Sequence, residues 1–519
     1  MSKKLSGVII FLGVLLVVGG VGLTRRKNKF IVPVRAQTLT YDWPQFQHDV
    51  KRTGYNPQDL SAPFTQKWAR DLGGAVAERV QPVISGGILV IGDINGKVFG
   101  LNETTGVIVW TFQTGAAVSY SAAIDQGKVF VSSQDGYLYA LNLSNGAKLW
   151  QAKVGNKPVG GAPVIYNNVI YIGGKDGYFY AFNATDGTQR WKFDSAISNP
   201  ITVRSPIIGN ASLSPIKNRL FFSAENVVAY SLDLNGSLIW AKQMYGESTY
   251  ETWPVVSETN NVVMFQTKSV YSFHSSLGLD DGDLFCPGDM GSGCGSCANS
   301  NPDNFDAPSN CDTVTSSCSD QWNEQHGLTN SIDSIFDRWP QRRTFYSFNM
   351  DTGALIPAPI LWTGGGGRPQ EAPVVNEASC NVYLLARTKW SRRDTGYFCR
   401  KWVDIVRLSF TSAQGTFNYI TCGSGIQCPA SDSFHFIGDE TTVLSMSGNL
   451  VVGTGWYHTG SIRVDTGVQI EVSPTSGLGQ GTNGTGGDHA APAAIANKVV
   501  FVKQFSGEVT SKIVAYQGK

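Results

Sequence analysis

The chain is short of charge. Asp, Glu, Lys and Arg make up 16% of its 519 residues and balance to a net +1. No basic run follows the first thirty residues, so nothing steers the chain toward nucleic acid. Cysteine is absent before Cys286, which excludes a lipid-modified cysteine near the amino end. Val8 to Leu23 is an uncharged apolar run, but it holds four glycines and is shorter than a comfortable membrane span. With Lys3 and Lys4 before it, residues 1–36 read as a secretory signal peptide. Arg25, Arg26, Lys27 and Lys29 follow the run, and a small-residue cleavage position, after Ala36, is distant. An uncleaved anchor is therefore the alternative, and either route exports residues 37–519.

What is present is a repeat. Gly96-Lys-Val-Phe-Gly-Leu-Asn102, Gly136-Tyr-Leu-Tyr-Ala-Leu-Asn142 and Gly177-Tyr-Phe-Tyr-Ala-Phe-Asn183 each lead through a glycine (Gly106, Gly146, Gly187) to a tryptophan (Trp110, Trp150, Trp191). A period of about forty residues marks one supersecondary unit used again and again. Within the third copy, turn signals at Asn167-Asn168, Lys175-Asp176-Gly177 and Ala184 to Gly187 separate four strand-like runs. The middle runs are apolar at consecutive positions, so both sheet faces must be covered. Radial stacking of blades does this, and the expected fold is an all-β propeller of four-stranded antiparallel blades.

The count extends to eight. A fourth unit runs from Ser205-Pro206 to Trp240. A fifth opens at Trp253 to Val256, is interrupted, and resumes at Phe345 to Asn349. A sixth spans Ala372 to about Ile420, and a seventh about Thr441 to Val472. The last opens at Ala491 and stops after its third strand, Lys512 to Tyr516; Thr65 to Arg70, with Trp68, is expected to supply its fourth and close the ring. Seven blades is the alternative, because units five to seven are degenerate.

All nine cysteines lie between Cys286 and Cys428, which suits an oxidising compartment. Cys422 with Cys428, and Cys380 with Cys399, are expected disulfides. Five more fall in a Cys- and Asp-rich insertion, 278–342, inside unit five. Its short-spaced carboxylates resemble oxygen ligands for Ca²⁺, but no regular twelve-residue calcium loop is present, and Cys294 and Cys297 lack the second pair that zinc needs. A stapled contact loop is the favoured reading. Three of the six Asn-x-Ser/Thr sites (Asn102, Asn142, Asn183) share one repeat position, which turn chemistry explains without a glycan.

The pattern Ala-Leu-Asn-x-x-x-Gly-x-x-x-Trp, with Asp42-Trp43-Pro-Gln-Phe46 and Arg52-Thr-Gly54 at the start, resembles the PQQ-type propeller repeat. That resemblance implies an eight-bladed ring in which the Trp and Gly residues dock one blade on the next. The family includes quinoprotein alcohol dehydrogenases, which would imply PQQ and calcium, and non-enzymatic propellers that assist outer-membrane protein assembly. The chain has no Cys-Cys pair, and its only Cys-x-x-Cys, Cys294 to Cys297, is followed by Ala298 rather than the His of a c-type haem site. These departures argue against catalysis and for no cofactor.

Ligands of a propeller meet the mouth of its axial channel, lined by the residues before each innermost strand. Here those include Glu78, Arg79, Arg204, Glu251, Arg368, Glu371, Asp432, His435, Asp488 and His489, a set suited to a polar or anionic ligand. Gly364 to Gly367 lacks the following Lys-Ser/Thr of a phosphate loop. The favoured expectation is an exported binding or assembly scaffold with a protein partner at the insertion or the mouth. A PQQ- and calcium-dependent alcohol or sugar dehydrogenase is the first alternative, and a carbohydrate-binding surface protein the second.

Overall fold

The strand pattern of each repeat becomes one small sheet. The structure, a computed structural model, describes residues 41–78, 80–197, 203–246, 248–250, 252–267, 344–358, 372–392, 399–410, 415–419, 443–454, 459–473, 492–505 and 510–519. Blade three shows the unit: Val164–Tyr166, Val169–Gly173, Tyr178–Asn183 and Gln189–Asp194 pair antiparallel in chain order. Asn167 and Asn168 make the first turn, both at positive φ (49° and 61°) as a tight hairpin requires. All five residues of Val169–Gly173 are buried, so neighbouring blades cover both faces.

Eight such sheets form the ring. Inner strands touch from blade one to three and from blade four to eight, and that of blade eight touches that of blade one. Blade five shows three described strands, Val255–Ser257, Val262–Gln266 and Phe345–Asn349. In blade eight, Ala494–Ala496, Val499–Phe505 and Ser511–Gln517 are completed by Thr65–Asp71, which pairs antiparallel with Ser511–Gln517 and joins the two ends of the ring.

Five of the blade junctions are keyed by a tryptophan. Trp68, Trp110, Trp150, Trp191 and Trp240 donate their indole N–H to the carbonyls of Glu103, Leu143, Ala184, Leu234 and Met350, each in the following blade, at 2.8–3.3 Å. The rings lie against Gly106, Gly146, Gly187, Gly236 and Gly353. A Cβ on Gly146 would stand 2.6 Å from the Trp110 ring, and its φ of +71° disfavours any side chain. The constant Trp and Gly of the repeat are thus two halves of one contact. Asn102 accepts from the amides of Thr104 (3.0 Å) and Thr105 (2.9 Å), the turn role expected at that repeat position.

One feature follows no repeat. The segment Trp43 to Asn56 winds around the axis and bonds all eight inner strands in order. Trp43 exchanges two backbone bonds with Ile84, and the carbonyls of Pro44, Val50, Lys51, Thr53 and Gly54 accept from the amides of Ile124, Leu213, Val256, Val375 and Met446 (2.7–3.0 Å). The Gln45 side chain pairs with both backbone groups of Ile165, and Asn56 donates to Ile495 O. This strap holds three non-glycine residues at positive φ, Gln47, His48 and Arg52, a strain the eight attachments sustain. Arg52 is fully buried. Its guanidinium donates to Ala211 O (2.9 Å), Phe46 O (2.7 Å) and Pro163 O (3.2 Å), tying the strap to blades three and four. Burial pushes its pKa down to about 9, which leaves it charged at neutral pH.

The expected Cys380–Cys399 disulfide is not formed. Cys380 is free and exposed. In the long hairpin of blade six, Val382 pairs with Leu408 whereas Cys399 pairs with Arg392. That register separates the two cysteines by the length of the hairpin, roughly 35–40 Å at about 3.4 Å per residue, well beyond the ~7 Å that a disulfide can bridge. Cys422, Cys428, the insertion 278–342 and the segment 1–36 lie outside the described residues.

Candidate functional site

The inner strands converge on an axial cavity of about 180 Å³, lined by Ala77, Glu78, Ser119, Tyr120, Ser121, Gln134, Lys175, Gly209, Asn210, Tyr250 and Trp253. Blades one to five all contribute. The strap backs the lining: Phe46 packs edge-on against Trp253, with ring centroids 4.8 Å apart. Gln81 links strap to wall, accepting from the Gln47 amide (2.6 Å) and donating to Ala493 O (2.8 Å), while its own amide donates to Ser121 Oγ. At the lip between blades eight and one, the buried Lys503 ammonium donates to Ala77 O (2.8 Å) and Glu78 O (2.6 Å).

Of the sequence candidates, Glu78 lines the cavity. Arg204 does not. It forms an exposed two-point pair with Asp194 and lies 4.3 Å over the Tyr178 ring, so it braces the loop entering blade four instead of facing the axis. The chain turns outward there: the Arg204 side chain would meet any Cβ on Gly177, at a turn between strands of blade three. Arg79, Glu251, Arg368, Glu371, Asp432, His435, Asp488 and His489 lie outside the described residues.

Sequence reasoning missed a shared turn position that supplies two of the cavity residues, Gln134 and Lys175. In blades one to four the turn after the second strand holds Ile94, Gln134, Lys175 and Glu225 at one shared position. Their amides donate to Ala75 O, Ala117 O, Pro158 O and Pro206 O (2.9–3.2 Å), anchoring the segment that leads into each inner strand. The backbone role is constant while the side chain changes from apolar to amide, cation and acid. Aligning the repeats and asking where they differ in charge would have found it. Lys175 reaches Gln134 Oε1 at 3.0 Å across the blade boundary.

Glu225 is half-buried, with Thr249 Oγ1 at 3.5 Å, and burial pushes its carboxyl up to about 7. Between the ordinary value of 4.5 and about 7 the folded chain therefore binds more protons than the unfolded one. Stability falls as pH rises through that window, and the cost is complete above it. Glu225→Gln is expected to match the parent near pH 4 and to be more stable at pH 8, by roughly 1 kcal/mol after discounting for solvent screening. Thermal unfolding at the two pH values checks this; equal unfolding temperatures at pH 8 would contradict it.

A family model described as "Outer membrane protein assembly factor BamB" matches residues 65–154 and 101–276. These residues include the strands whose tryptophans make the five Trp–Gly contacts described above. The chain is an eight-bladed β-propeller with PQQ-like repeats in its first blades. Among curated relatives, the outer membrane protein assembly factor BamB of Xanthomonas campestris pv. campestris is 31% identical over 104 residues, 20% of this chain and 25% of that protein. A quinohemoprotein alcohol dehydrogenase of Comamonas testosteroni is 27% identical over 152 residues, 25% of this chain and 22% of that one. The aligned part of this propeller thus spans about a quarter of the length of these relatives. The crystal structure of the Comamonas testosteroni enzyme superposes with a TM-score of 0.58 at 14% identity, covering 92% of this chain and 81% of that one, a likeness of fold.

Dehydrogenases of this superfamily imply PQQ, and the described part of the cavity does not fit it. A quinone bearing several carboxylates needs several cations. Among the described lining residues one cation, Lys175, shares the site with the carboxyl of Glu78. The volume is also below the roughly 300–1,000 Å³ of small-molecule sites.

Proposed function

We propose that this propeller is an exported scaffold that binds protein partners in the assembly of membrane proteins, and that it works without a redox cofactor. The observation that carries this reading is the cavity: about 180 Å³, backed by the chain's own strap, with one acid and one cation among its described lining residues. A recess of that kind can accept a side chain or a loop tip. The family model and the Xanthomonas campestris relative, both named as assembly factors, support the same direction. Export is supported by Val8 to Leu23 and by the nine clustered cysteines. The insertion 278–342 is the second proposed contact surface, as a long loop on a rigid frame.

The test is recovery of the full chain from native membranes in mild detergent. It should elute well above the size of a 56.1 kDa monomer, together with a stoichiometric membrane-assembly protein. Tyr250, half-exposed at the cavity, is the place for a photo-crosslinker. Elution as a free monomer with no crosslinked species would contradict the scaffold reading.

A further inference from the structure

Each outer strand among the described residues ends its sheet, leaving one row of backbone N–H and C=O groups without a partner strand. Natural sheets protect such edges with bulges and with charged side chains, lysine above all. Bulges are general here: pairing registers shift beside Lys67, Val109, Leu149, Arg190 and Ile239. Charge is not general. Thr65–Asp71 carries Lys67, Lys148–Lys153 carries Lys148 and Lys153, Gln189–Asp194 carries Lys192, and Leu238–Gln243 carries Lys242. Ile108–Gln113, the outer strand of blade one, carries none, and the sequence holds no charge from Thr104 through Ile124. In place of charge it exposes three apolar side chains in succession: Val107 (52%), Ile108 (36%) and Val109 (50%). The other uncharged outer strand among the described residues, Gly415–Tyr419, has no three apolar residues in succession in its sequence.

We infer that the outer edge of blade one is a docking edge for an extended, uncharged strand of a partner polypeptide, added by main-chain hydrogen bonds beside Ile108–Gln113. The inference rests on the scaffold reading and names its client chemistry: a chain not yet folded, alternating apolar and neutral polar residues. Beyond the bulge, Trp110 to Gln113 keeps a regular register with Gly100 to Lys97, a stretch of about 14 Å for pairing. Val107 to Val109 then offers apolar contact to the incoming side chains. The edge strand itself carries no charge, with Arg70 of blade eight held on Gly106 O (2.8 Å) just before it, whereas the lysines within the outer strands of the neighbouring blades select against apolar strands there. A second copy of the ring is a poorer occupant. Two rigid rings meeting edge to edge would touch along little more than one strand, short of the roughly 1,200 Å² of a stable interface.

The probe is a fluorescent ten-residue peptide of alternating Val and Thr, titrated into the full chain in mild detergent and read by anisotropy. Saturable binding is expected. Val109→Lys, which installs the residue blade eight has at Lys67, should weaken it at least tenfold, as should Thr111→Glu. Leu149→Lys on blade two should leave it unchanged. A peptide N-methylated at alternate residues should not bind, because it lacks the donors that strand addition needs. Both blade-one positions are exposed, and unchanged thermal unfolding confirms that the variants fold. No binding by the parent, equal binding by the two blade-one variants, or equal binding of the N-methylated peptide would each overturn the inference. So would a dimer of the parent that Val109→Lys makes monomeric, since the occupant would then be a second copy. Failure here with the membrane complex intact would remove the docking edge and leave the scaffold reading standing.

Discussion

Trp110→Ala is expected to lower stability by about 3–5 kcal/mol, the range for removing a large aromatic side chain from a packed site. The indole is 6% exposed, donates to Leu143 O at 2.8 Å, and fills the space over Gly146. Its loss leaves a cavity and an orphaned carbonyl on the next blade. The contact has two halves, so the two substitutions should not add. Gly146→Ala is expected to cost about 2 kcal/mol or more in the parent, because its Cβ would meet the ring at 2.6 Å. In the Trp110→Ala background the steric part disappears and only the cost of φ +71° remains, about 1 kcal/mol. A double-mutant cycle by chemical denaturation measures the difference. Additive costs would mean that the glycine is kept for its turn alone.

Arg52→Met is expected to loosen the strap. Three carbonyls, from Phe46, Pro163 and Ala211, would lose their donor together. At about 1–3 kcal/mol for each buried group left unsatisfied, a net loss of roughly 3 kcal/mol remains after relief of the buried charge. Arg52→Lys keeps the charge but cannot place three donors in a fixed fork, so it should recover only part of the loss. The readout is local. Amides of Ile124, Leu213, Val256, Val375 and Met446, which bond the strap, should exchange hydrogen faster in Arg52→Met. Those of the outer strands should not change. Uniform acceleration would mean that the ring unfolds as one unit and that the strap is no separate lock.

The ring was legible because a Trp and a Gly recur at fixed spacing and the inner runs are apolar at consecutive positions. Even the degenerate blades kept their inner strands: Val255–Ser257 and Val374–Asn376 fall where Pro-Val-Val placed them. The strap was not legible. Most of its contacts with the blades are made by backbone groups, which leave no periodic side chains to read. Of the channel-mouth candidates, Glu78 and Arg204 fall among the described residues. Glu78 faces the axis, but Arg204 is drawn aside by Asp194 and Tyr178, a pairing that depends on the path of the loop between blades three and four. The Cys380–Cys399 expectation failed because a turn between close cysteines and a long hairpin with one at each end look alike without the register.

The most direct test of the central claim, a binding propeller and not a dehydrogenase, is to titrate PQQ with Ca²⁺ into residues 37–519 produced in an oxidising compartment. Binding is followed by absorbance and by quenching of tryptophan emission, to which Trp253 at the cavity would respond. Dye-linked oxidation of alcohols and sugars is then assayed. The account predicts no saturable quenching and no turnover. Stoichiometric binding with turnover would contradict it and make the cavity between Glu78 and Lys175 an active site.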